Sequence, residues 1–83
     1  MSIRWRKSRG QLRSSMMVAR VLGVTVFLER DRPVPGMCRI ANNYVRGGEY
    51  VSMCFRVRSY DDPVISTMAH ELAEMIKRLG RMR

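Results

Sequence analysis

Arg39, Arg56 and Arg58 stand in two strand-like runs separated by Arg46-Gly47-Gly48-Glu49. Two adjacent glycines supply the positive φ angles that a two-residue primed turn needs, so the spacing predicts a hairpin with Gly47-Gly48 as its turn. In that register Arg39 faces Arg56, Ile40 faces Phe55, Asn42 faces Met53 and Tyr44 faces Val51. Side chains alternate along a strand, so Cys38, Ile40, Asn42, Tyr44, Val51, Met53, Phe55 and Val57 share an inward face. Arg39, Ala41, Asn43, Val45, Tyr50, Ser52, Cys54, Arg56 and Arg58 share the other. A guanidinium is a planar five-donor fork suited to phosphate oxygens, an aromatic such as Tyr50 stacks on a base, and Asn43 adds amide donors. Like charges facing each other across two strands cost stability, which a bound polyanion would offset. A solvated sheet face that merely tolerates arginine is the plainer account of the same residues.

A second basic cluster opens the chain. No acidic side chain occurs before Glu29, while Arg4, Arg6, Lys7, Arg9, Arg13 and Arg20 all do, with Trp5 set among the first three. Beyond Met1, residues 1–14 hold only Ile3, Trp5 and Leu12 as large apolar side chains, too little to order a segment by burial, so they read as a flexible basic arm ahead of a single domain over 15–83. Such arms follow a phosphate backbone or enter a minor groove, where the Trp5 indole could stack or wedge. A tail whose Trp5 folds back on the core is the competing picture.

Other chemistry is weaker. His70-Glu71-Leu72-Ala73-Glu74 resembles the zinc-metalloprotease helix, but Glu74 stands where the second histidine belongs and His70 is the chain's single histidine. An ordinary solvated helix face accounts for it better, and neither a metal nor another cofactor is expected. Cys38 and Cys54, the two cysteines, have no metal-ligand spacing, and the hairpin sends them to opposite faces, so both should be free thiols.

Composition sets the frame for these residues. The chain has 83 residues and a net charge of +9, its cations being 14 arginines and 2 lysines. Surplus positive charge gathers polyanions and releases their counterions on contact, which makes DNA or RNA the default partner. So short a chain makes one small domain with little room for a deep substrate cleft, which favours a binding module over an enzyme. No apolar run nears the roughly 20 residues that span a bilayer. Serines interleaved with arginine near the start also fit a mitochondrial presequence, although cleavage near Leu22 would leave only about 60 residues to fold, few for an independent core; a cytoplasmic protein is expected.

Around the hairpin the other elements follow. Leu12, Met16, Met17, Ala19 and Val21 fit a short helix over Gln11 to Leu22, and a strand from Met17 fits nearly as well. Val24-Thr-Val-Phe-Leu28 reads as a buried strand, and Pro33-Val-Pro-Gly36 as a loop. Asp62-Pro63 opens a helix carrying Ile65, Met68, Leu72, Met75 or Ile76, and Leu79 on one stripe, with Gly80 placed to end it. Met16 and Met17 could serve a partner contact, since thioethers pack adaptably.

The fold expected is α+β: a three-stranded antiparallel sheet with a C-terminal helix on one face. Several DNA-binding modules, the arm-binding domains of phage integrases among them, share that layout and read the major groove with the sheet; the likeness is one of layout and no motif carries it. The function expected is a non-enzymatic nucleic-acid-binding protein using Arg4, Trp5, Arg6, Lys7, Arg9, Arg39, Asn43, Tyr50, Arg56 and Arg58. The alternative is a protein-interaction module, either a small regulator or inhibitor of a larger partner or a homodimer.

Overall fold

The computed structural model describes residues 3–8, 16–42 and 51–81. Five strands, β1 (Arg6–Lys7), β2 (Met16–Val21), β3 (Val24–Arg30), β4 (Met37–Asn42) and β5 (Val51–Arg56), form one antiparallel sheet in chain order, and α1 (Val64–Arg81) covers one of its faces. The α+β class and the C-terminal helix are as expected, but the sheet has five strands rather than three. The extra two come from the basic segment and from residues 16–21. Met16–Val21 alternates between the two faces once it is paired along its whole length with β3, and sheet pairing overrides a helical spacing that was no better than moderate. Residues 3–8 are not a free arm: Arg6 and Lys7 pair with Val18 and Met17, Ser8 donates to the Met16 carbonyl at 3.1 Å, and Ile3 and Trp5 pack against the core.

The tightest turn in the described chain is Leu22-Gly23, which joins β2 to β3 with Val21 opposite Val24. Both turn residues take positive φ, 52° and 79°, as a primed two-residue turn requires. Gly23 adopts this freely, whereas Leu22 holds a backbone region that costs a branched side chain free energy. The turn expected at Gly47-Gly48 lies outside the described residues. The β4–β5 register is set by the strands themselves: Arg39 pairs with Cys54, Ile40 with Met53, and Met37 with Arg56. The expected pairing of Arg39 with Arg56 is therefore wrong by two residues. A two-residue displacement preserves which side chains share a face, whereas a one-residue slip would exchange the faces. Hydrophobic alternation fixed that parity but not the pairing, which is anchored at the far end by Val57 donating to the Gly36 carbonyl at 3.0 Å.

The core lies between sheet and helix. Val21, Ala19, Val26, Leu28, Cys38 and Ile40 meet Ile65, Ala69, Leu72 and Ala73, with Val51, Met53, Phe55, Val57 and Met68 at its margin. Two alanines on the helix let its axis approach the strands closely, a contribution that a reading based on large apolar residues overlooks. Asn42 is the buried polar residue of this face, and its side-chain amide donates to the Thr25 carbonyl at 2.9 Å, so its burial is compensated. The helix starts as expected: the Asp62 Oδ1 accepts from the Val64 amide at 3.0 Å while Oδ2 accepts from the Arg58 amide at 2.8 Å. It runs past Gly80 to Arg81. No helix among the described residues is long and apolar enough to cross a membrane.

Candidate nucleic-acid interface

With α1 on one side, the other side of the sheet is bare among the described residues. The pairing assigns its side chains row by row. One row runs Arg6, Val18, Phe27, Ala41, Ser52 from β1 to β5, and the next runs Met16, Glu29, Arg39, Cys54 from β2 to β5. Arg20 and Thr25 are paired beyond Val18 and Phe27, and Met37 and Arg56 are paired beyond Arg39 and Cys54. The face thus has an apolar middle, Val18, Phe27 and Ala41, ringed by Arg6, Arg20, Arg39 and Arg56.

Glu29 is the one described acid on this face, and it is buried. Its carboxylate lies 3.1 Å from the Arg39 guanidinium directly across the strand pair and 3.9 Å from Arg32. The Glu29 side chain is 5% exposed and that of Arg39 is 40% exposed, so the pair is a carboxylate sunk into the sheet beneath a half-open guanidinium. Arg39 is held by an acid, not pressed against Arg56, and the expected Arg39–Arg56 repulsion is absent as a direct cross-strand pair. The two arginines remain diagonal neighbours, a step of about 7 to 8 Å. Arg20 donates to the Thr25 hydroxyl at 3.2 Å while staying exposed.

Of the residues expected to bind, Arg4, Arg6, Lys7, Arg56 and Arg58 are exposed and Arg39 is half-exposed. Trp5 belongs instead to the margin of the core. Lys7 is paired with Met17 one residue along from Arg6, so alternation turns it away from the open face. Arg9, Asn43 and Tyr50 lie outside the described residues. Sequence reasoning missed Arg20, Phe27 and Glu29. Reading Leu22-Gly23 as a turn would have placed Arg20 and Phe27 on one face; Glu29 needed the β3–β4 register.

The end of the sheet near the helix start holds a different cluster. The Tyr60 hydroxyl donates to Asp31 Oδ2 at 2.6 Å, the Gly36 amide donates to Oδ1 at 3.3 Å, and the Arg30 guanidinium sits 4.5 Å from the centre of the Tyr60 ring. The Tyr60 hydrogen bond, with that from Gly36, holds the Asp31 carboxyl below the usual carboxylate range, and the same bond pushes the Tyr60 phenol up. Cys38, fully buried nearby, has its thiol pushed up by burial. Cys38 and Cys54 are both free and lie on opposite faces, as expected. His70 donates from Nδ1 to the Ser66 carbonyl one turn back at 2.9 Å, a helix-internal bond. Among the described residues no three His, Cys, Asp or Glu side chains group in a way that could hold a metal ion.

No family model matches the chain, and no curated protein or solved structure matches it.

Proposed function

We propose that this chain is a small, non-enzymatic nucleic-acid-binding protein that meets phosphates with the open face of its sheet. The observation that carries this reading is the segregation of charge. Arg6, Arg20, Arg39 and Arg56 ring the open face, while Asp31, Asp61, Asp62, Glu71 and Glu74 all lie in loops or on the helix. The single acid of the open face among the described residues, Glu29, is buried against Arg39. A polyanion approaching that face meets exposed guanidinium groups backed by a net charge of +9. Arg4 and Arg58 are further exposed cations that flank β1 and β5 in sequence.

The test is affinity for labelled DNA and RNA, single- and double-stranded, measured by fluorescence anisotropy at about 50 and 200 mM salt. Four or so phosphate contacts predict a loss of affinity across that range of roughly 50-fold for a single strand and roughly 150-fold for a duplex. Absence of binding to every nucleic acid at the lower salt would refute the reading. A second reading has its own observation: the apolar middle of the same face suits a protein partner or a second copy of the chain, and an interface of that kind would respond little to salt.

A further inference from the structure

We infer that the open face takes single-stranded nucleic acid, with the Phe27 ring as its base-stacking platform; this rests on the proposed function and narrows it. Phe27 is half-exposed on β3, the middle strand of five, with Val18 and Ala41 directly beside it. Among the described residues it is the one aromatic side chain on this face, flanked by a smaller valine and a buried alanine, so its ring is placed to receive a base. Arg20 and Arg39 are its diagonal neighbours on β2 and β4, one to each side along the strand direction. Diagonal positions are about 7 to 8 Å apart, well within the reach of an arginine side chain, so each guanidinium can meet the phosphate flanking a base stacked on Phe27. Glu29 holds Arg39 in place at 3.1 Å, and the Thr25 hydroxyl holds Arg20 at 3.2 Å.

The dimensions of the sheet disfavour duplex. Five strands at the usual spacing put the outer two about 19 Å apart. The major groove of B-form DNA is about 12 Å wide, enough for a two-stranded ribbon or a helix but not for this face laid flat. A three-stranded sheet would have left groove reading open; five strands close it. Bases in a duplex also have their faces buried in the stack, whereas those of a single strand are free to lie on an aromatic ring.

The experiment uses the full 83-residue chain and short labelled oligonucleotides, a mixed-sequence RNA and the same sequence as DNA, each single-stranded and annealed to its complement. The expected result is at least tenfold tighter binding to single strands at equal salt. Phe27→Ala should weaken single-strand binding about tenfold while leaving both the salt slope and duplex binding unchanged, since a stacking contact releases no counterion. Phe27→Tyr should keep the affinity, and Phe27→Leu, which preserves apolar bulk in case alanine impairs folding, should lose it. Equal affinity for duplex and single strand, or full affinity in Phe27→Leu, overturns the platform and leaves phosphate binding standing. No binding to any nucleic acid overturns both readings. Concentration-dependent association of the free protein that Phe27→Ala abolishes would assign the face to a second copy and likewise overturn the platform.

Discussion

The two faces of one sheet are built from the same strands, alternate residue by alternate residue, yet they follow different rules. On the covered face Val26, Leu28, Cys38 and Ile40 are sealed by Ile65, Ala69, Leu72 and Ala73, and nothing ionised is needed to hold them. On the bare face the middle is also apolar, but the closest-buried group is the Glu29 carboxylate under Arg39. Burial on the first face stabilises by excluding water from hydrocarbon; burial on the second leaves a charge dependent on its partner. Stability and recognition are thereby separated across a sheet one residue thick, and single substitutions on the two faces should answer different measurements.

The largest stability effect should come from the covered face. Leu72→Ala empties a fully buried position and should cost about 2 to 4 kcal/mol in urea denaturation. Next is Arg39→Ala, which takes from a buried carboxylate the guanidinium 3.1 Å away and should cost about 1 to 3 kcal/mol. This reverses the expectation drawn from an Arg39–Arg56 opposition, in which losing Arg39 would have been stabilising. Adding Glu29→Gln to Arg39→Ala should recover part of the loss; if it recovers none, the pair is not what links the two positions. Arg6→Ala and Arg56→Ala, exposed and away from the core, should shift stability by no more than about 0.5 kcal/mol. Each should nevertheless lower the slope of log affinity against log salt by about 0.7 to 0.9. A variant of Leu72 that still folds should leave that slope alone, and a change in it would break the separation.

The smallest effect concerns pH. Hydrogen bonds from the Arg58 and Val64 amides hold the Asp62 carboxyl below the usual carboxylate range. A depressed folded value means that the stabilisation is present above the ordinary range and is lost as pH falls, below about pH 4. Asp62→Asn should therefore flatten the acid side of a melting-temperature profile while leaving nucleic-acid affinity at neutral pH unchanged.

Much of the covered face was legible in the sequence because burial leaves a period. The Asp62-Pro63 start, the described members of the inward set (Cys38, Ile40, Asn42, Val51, Met53, Phe55 and Val57) and the opposite placement of the two cysteines all follow from alternation or capping chemistry. The bare face was less legible. Leu22 is a poor candidate for a left-handed turn residue by type, so nothing local joined the Val24–Leu28 strand to residues 16–21 as a hairpin, and helix and strand stayed open for the segment that carries Arg20. The partnership of Glu29 with Arg39 depends on which of several registers of equal parity is adopted, and hydrophobic pattern is silent between them. Ile3 and Trp5 show the limit from the other side: a segment too polar to order itself can still be ordered by an edge it docks against.

That edge has a further consequence. A sheet margin with unsatisfied amides and carbonyls is a template on which another chain can grow, and long, flat, apolar margins are where soluble proteins begin to aggregate. Here β1 offers a margin two residues long, and both residues, Arg6 and Lys7, are cations. A second molecule adding in register would bring like charges side by side over a stretch too short to repay them in backbone bonds, so the strand that widens the sheet also discourages growth at its own margin.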